Sequence, residues 1–114
     1  MPTGSSSSVR VFYPRYDRKG VIALLNGRLP FLSAQIPLRR VVLFGSWAKG
    51  KATVFSDIDL MVVYADPPRE DAYQLVRRCL DIPGLEPHVY SEHQAGHLKK
   101  TLDRMTEDGV VLMG

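Results

Sequence analysis

The sequence predicts a small α/β (α+β) domain: a mixed β-sheet with helices packed mainly on one face. Segments of strand length, apolar throughout or on alternate residues, end at Phe44, Tyr64 and Ser91, and stretches whose apolar residues recur at helical spacing alternate with them. The resulting order, helix–strand–strand–helix–strand–helix–strand, calls for one mixed sheet covered by helices. At 114 residues, with 45% apolar and 24% charged residues, the chain has the length and composition of one globular domain with a modest core.

Residues 1–16 read as a flexible N-terminal segment and residues 17–114 as the folded domain. The segment opens with small polar residues, serine throughout positions 5–8, a composition that cannot bury enough apolar surface to fold. Phe12, Tyr13 and Tyr16 around Pro14 form an aromatic arm, read as a strap over the core, with contact to a partner as the alternative. Asp17 suits an N-cap, and Val21, Ile22, Leu24, Leu25 and Leu29 follow at helical spacing. Gly27 and Pro30 interrupt that helix, so it either ends or kinks and resumes through Ser33. Beyond Pro37, a strand from Arg40 to Phe44 is apolar without a break from Val41, as suits a strand covered on both faces.

A second strand runs from Asp57 to Tyr64, and Ala65-Asp66-Pro67-Pro68 turns the chain. The next helix is expected to hold Glu70 and Asp71 in its first turn and Arg77 and Arg78 near its end, which matches the helix dipole. Ala72, Leu75, Val76, Cys79 and Leu80 form its buried stripe. Leu85–Ser91 reads as a third strand; Pro87 cannot donate to a central ladder, so this strand is an edge or carries a bulge. A last helix spans His93 to Glu107, capped by Ser91 or Glu92, with Leu98, Leu102 and Met105 as its apolar seam. Gly109 ends it, and Val110–Met113 closes the chain as a short strand.

Several function classes drop out. No apolar run approaches the ~20 residues of a membrane helix, and the N-terminus lacks the layout of a secretory signal. A single cysteine, Cys79, forbids an internal disulfide and fits the cytoplasm; on its helical stripe it reads as a core residue. A net charge of +3 is too weak to argue for nucleic acid, and suits an anionic nucleotide equally well. His93 and His97 have the i, i+4 spacing of a zinc pair, but no third ligand of that kind lies nearby in sequence.

Chemistry concentrates between Val41 and Tyr64, VVLFGSWAKGKATVFSDIDLMVVY. Strand side chains alternate faces, so Asp57 and Asp59 project to one side while Ile58 and Leu60 project to the other. Neighbouring carboxylates repel, and an oxygen-seeking cation such as Mg2+ removes that penalty. Gly45 permits a close backbone approach, and the Ser46 hydroxyl with nearby N–H groups can hold a phosphate. A glycine-serine turn facing a carboxylate pair has the makings of a metal–nucleotide site.

Gly45-Ser46, ten residues, then Asp57-Ile58-Asp59 resembles the signature of the DNA polymerase β-like nucleotidyltransferase superfamily. The surrounding LFGSWAKGKATVFSDIDLMV looks most like its minimal nucleotidyltransferase (MNT) branch, the MntA-type antitoxins of MNT–HEPN pairs, and the likeness covers roughly residues 18–112. The resemblance implies the polymerase β-like fold, with a short helix after Gly45 that Ser46 caps and Gly50 stops. It also implies a third carboxylate on the third strand, which Glu86 matches, although the family often has Asp there. MNT domains often carry basic residues on either side of the alanine matching Ala48; here those positions are Trp47 and Lys49. Lys49 is a candidate phosphate ligand, a solvated lysine being the alternative. Trp47 in turn reads as packing on the domain or on a partner. His88, on the face of Glu86 and Tyr90, could assist catalysis, but a surface or core role is preferred.

The implied activity is nucleotidyl transfer with two Mg2+ ions, in which an acceptor hydroxyl attacks the α-phosphate of ATP or another nucleoside triphosphate. Asp57, Asp59 and Glu86 would be metal ligands and catalytic groups, Glu86 also serving as base, and Gly45, Ser46 and Lys49 would bind the nucleotide. No second substrate domain is evident, so the expected acceptor is a tyrosine of a HEPN-domain toxin, with this chain as antitoxin. Two alternatives remain: a non-catalytic module that neutralises a HEPN partner by contact, and a small-molecule nucleotidyltransferase needing a separate substrate-binding subunit.

Overall fold

The structure is a computed structural model that describes residues 17–53 and 56–114. The expectations for residues 1–16, the aromatic arm among them, lie outside the described residues. Among these residues, four helices, α1 (Arg18–Ser33), α2 (Ala72–Leu80), α3 (Glu92–His97) and α4 (Lys99–Met105), accompany four strands, β1 (Leu38–Phe44), β2 (Ile58–Tyr64), β3 (Leu85–Ser91) and β4 (Val110–Met113). The strands form one sheet in the order β3-β2-β1-β4. β1 runs antiparallel to β2 and to β4, and β2 runs parallel to β3. The sheet is therefore mixed, as the sequence predicts, and among the described residues Pro87 sits on an edge strand.

Alternation along the strands divides the core between two faces. Val41, Leu43, Leu60 and Val62 pack with Val21, Leu25, Leu29 and Leu32 of α1 and with Leu75, Val76 and Leu80 of α2. Val42, Phe44, Met61 and Val63 face the other way and meet Leu102, with Ala95 and Met105 at the margin. The two longest helices thus share one face, and the short pair α3–α4 lies against the second. This accounts for the apolar stretch of β1, whose residues Val41–Phe44 are all buried.

Asp17 caps α1 by accepting from the Gly20 N–H at 2.8 Å. Of the two readings of this segment, continuation holds: α1 runs through Pro30 to Ser33 as one helix. The buried Leu25, Leu29 and Leu32 hold its last turns to the sheet. Arg28 of α1 donates to the carbonyls of Leu80 at 2.5 Å and Asp81 at 3.2 Å, closing the C-terminal end of α2.

Three local expectations need correction. α2 begins at Ala72 with no acidic residue in its first turn. Asp71 stands outside it, bound to the Arg69 guanidinium through two 2.9 Å contacts, so that fork replaces the dipole interaction. The last helix breaks at Leu98 into α3 and α4. Leu98 is 40% exposed and leaves the seam, which starts at Leu102. Ser91 caps α3 in a reciprocal capping box with Gln94. No helix among the described residues is long and apolar enough to cross a membrane.

Candidate functional site

β1 ends at Phe44 and the chain turns at Gly45, whose φ of 77° is open to glycine at little cost. The turn is pressed against β2: a Cβ on Gly45 would stand 2.5 Å from Asp59 Oδ2. The implied short helix does not form. Residues 45–50 are successive turns, with Lys49 N–H donating to the Gly45 carbonyl at 3.2 Å and Lys51 N–H to the Ser46 carbonyl at 2.9 Å. Gly45 and Gly50, at φ 77° and 71°, bracket only one turn of chain, too little to repay helix nucleation. Trp47 packs against the core, and its Nε1–H donates to the Ser56 carbonyl at 3.4 Å.

Asp59 pairs with Phe44 on one side and with Glu86 on the other. Partners in adjacent registered positions share a face, so Asp59 and Glu86 stand side by side at one end of the sheet. Asp57 is exposed and lies one residue ahead of the β2 ladder, where the Ile58 N–H donates to the Gly84 carbonyl at 2.8 Å. Glu86 is exposed as well. Asp59 is more sheltered, its side chain 31% exposed.

As placed, these side chains do not close into a metal-binding group of three, nor does any other set of His, Cys, Asp and Glu among the described residues. His93 and His97, with Nε2 atoms 3.3 Å apart, therefore stand as a pair without further ligands of those types. The donor set nevertheless suits a hard divalent cation: it consists of carboxylate oxygens, and one carboxylate is seated in the space that the Gly45 Cβ would fill. Adjacent strands lie ~4.8 Å apart, so Asp59 and Glu86 are neighbours across the ladder.

Lys49 is exposed, and it lines a hollow of about 110 Å³ together with Gly45, Phe44, Arg104 and the Glu107–Gly109 turn. Ser46 is exposed beside it. Gly109 is the second glycine that close approach requires, since a Cβ there would meet Val42 Cγ1 at 2.6 Å and the Leu43 carbonyl at 2.8 Å. Arg104 escapes sequence reasoning, because only the packing of α4 brings it to the hollow. His88 is closer to the carboxylates than the preferred surface or core role implies. Its ring tilts against Phe44 with centroids 5.1 Å apart, and its Nε2 points towards Asp59 Oδ1 at 3.6 Å. The alternation of β3 puts His88 on the right face, but only the pairing of β2 with β3 places it beside Asp59.

Residues 27–109 match the family model of the nucleotidyltransferase domain. Among solved structures, a candidate nucleotidyltransferase from Sulfolobus solfataricus is similar, with 20% identity and a TM-score of 0.59 over 82% of this chain and 80% of that one. A chain of a toxin–antitoxin complex with AMP-PNP is similar with 25% identity and a TM-score of 0.57 over 78% and 73% of the two chains. A chain of a mutant MntA–HpeT toxin–antitoxin pair is similar with 21% identity and a TM-score of 0.50 over 87% and 74%. The first and third likenesses are likenesses of fold. No curated protein gives a significant sequence match.

Proposed function

The chain belongs to the nucleotidyltransferase domain family, and from that premise we propose that it transfers AMP from ATP to a tyrosine of a HEPN-domain toxin, as a cytoplasmic antitoxin dependent on Mg2+. The observation that carries this reading is the seating of the Asp59 carboxylate on Gly45, in register with Glu86. It puts the glycine-serine turn and two carboxylates at one end of the sheet. The likeness to a chain of a toxin–antitoxin complex with AMP-PNP, an ATP analogue, supports both the nucleotide and the kind of partner.

In this reading Asp57, Asp59 and Glu86 would hold the divalent ions, which would supply neutralisation of phosphate charge and acidification of the acceptor hydroxyl. The Gly45-Ser46 turn and Lys49 hold the β- and γ-phosphates through N–H groups, hydroxyl and ammonium. Glu86 takes the acceptor proton. The acceptor oxygen forms its bond to the α-phosphorus, the bond to the bridging β-phosphate oxygen breaks, and pyrophosphate leaves with those electrons. Among the described residues β3 is an edge strand, and the Glu86 side chain on it is exposed, as the approach of a protein acceptor requires.

A second reading, a module that neutralises its partner by contact, is favoured by one observation: the carboxylates as placed do not form a group of three. One experiment separates the two. The chain is incubated with ATP and Mg2+, with and without a HEPN protein encoded beside it, and both proteins are weighed by mass spectrometry. One or more added AMP masses on the partner, lost with Asp57→Asn or Asp59→Asn, is the expected result. Tight complex formation without added mass, and full neutralisation by Asp57→Asn, would establish the contact reading.

A further inference from the structure

The two oxygens of Asp59 have different neighbours. Oδ2 lies over Gly45, in the space a Cβ would take. Oδ1 faces His88 Nε2 at 3.6 Å. That nitrogen is fully shielded from solvent and has no hydrogen-bond partner. A shielded polar atom without a partner costs about 1–3 kcal/mol; the neighbouring carboxylate can only accept, which assigns the ring proton to Nε2, and 3.6 Å is slightly too long to count as a bond. The imidazole is not placed at random, since its ring packs against Phe44, the residue paired with Asp59 across the β1–β2 ladder. His88 itself is paired with Met61, two residues beyond Asp59 on β2.

We propose that His88 is the positioning residue of Asp59: a small rotation closes Nε2–H onto Oδ1 and holds the carboxylate in one orientation, with Oδ2 over Gly45. Ligating carboxylates are commonly fixed by such a donor, and losing it typically weakens metal affinity 10–100-fold. This rests on the reading of Asp59 as a ligand of a divalent cation. His88 makes no contact with substrate in this scheme; it acts through Asp59.

The test uses the full chain and Mn2+ as the probe, titrated by calorimetry without nucleotide, beside thermal unfolding without metal. His88→Leu should fold like the wild type and bind Mn2+ about 10–100-fold more weakly. His88→Gln, which keeps an N–H donor, should recover most of that loss. In AMP transfer the His88→Leu defect should fall on kcat more than on the KM for ATP. A folded His88→Leu that binds Mn2+ as tightly as the wild type overturns the proposal. If His88→Leu does not fold, His88→Asn, too short to reach Oδ1, must show the same loss, and retained affinity there overturns it equally. Asp59→Asn separates the two levels. Unchanged Mn2+ binding in that variant refutes Asp59 as a ligand and the proposal with it, whereas loss there with none in His88→Leu removes only the role of His88.

Discussion

At the scale of single residues, Gly45 has the most constrained position in the site. Two independent constraints meet there, a φ of 77° and an absent Cβ that would stand 2.5 Å from Asp59 Oδ2. Left-handed backbone alone costs an L-residue about 1–2 kcal/mol. Gly45→Ala should therefore lower stability by at least that amount in urea unfolding. It should also displace Asp59 and lower the proposed AMP transfer by about a hundredfold or more, an effect of the size that a 1 Å misplacement can produce. Glycines that face open space give the control: a Cβ on Gly27 would have nothing within 4 Å, and Gly27 lies in α1, so Gly27→Ala should leave transfer unchanged. Similar activity in Gly45→Ala and Gly27→Ala would show that the contact with Asp59 is not needed.

At the scale of elements, the strands were legible because each is an uninterrupted or alternating apolar run with a clear stop: β3 and β4 fall at the residues expected for them. The helical breaks were less so. Nothing from Glu92 to His97 is buried, so helical spacing there has no core to report on, and Leu98 looks like a seam residue until its 40% exposure is known. The missing short helix has a different cause, since two left-handed glycines outweigh the cap that Ser46 offers. Side-chain ties between elements left no sequence signal at all. Arg28 lies 52 residues from the Leu80 carbonyl it binds, and it joins α1 to the end of α2, where Asp81 takes a φ of 46°. Charge-assisted hydrogen bonds contribute about 1.5–3 kcal/mol, and partial exposure puts this pair at the lower end. Arg28→Met should thus cost roughly 1–2 kcal/mol in urea unfolding. Mn2+ affinity should stay as in the wild type, because α2 and the candidate site lie on opposite faces of the sheet. An unchanged unfolding midpoint would show that the tie is dispensable.

At the scale of the whole molecule, two exposed ion pairs should make a small contribution to how stability responds to acid. The Arg69 fork holds the Asp71 carboxyl below its ordinary value through the side-chain hydrogen bond first and charge second. Asp103 is likewise held low, by its hydrogen bond from Lys99 and by the charges of Lys99 and Arg40. For a carboxylate whose folded pKa lies below the unfolded value of about 3.9, the stabilisation is complete above that value. It is lost as pH falls through the folded pKa. The melting temperature should therefore be insensitive to these two groups from about pH 8 down to about pH 5, and should fall below about pH 4. Both pairs are exposed, so the effect is small and screened, and it should shrink as ionic strength rises from about 0.01 M to about 1 M. The double variant Asp71→Asn, Asp103→Asn isolates it: its acid limb should be shallower than that of the wild type at low salt, and the two limbs should converge at high salt. An acid limb as steep as that of the wild type would place the titrating carboxylates elsewhere in the fold.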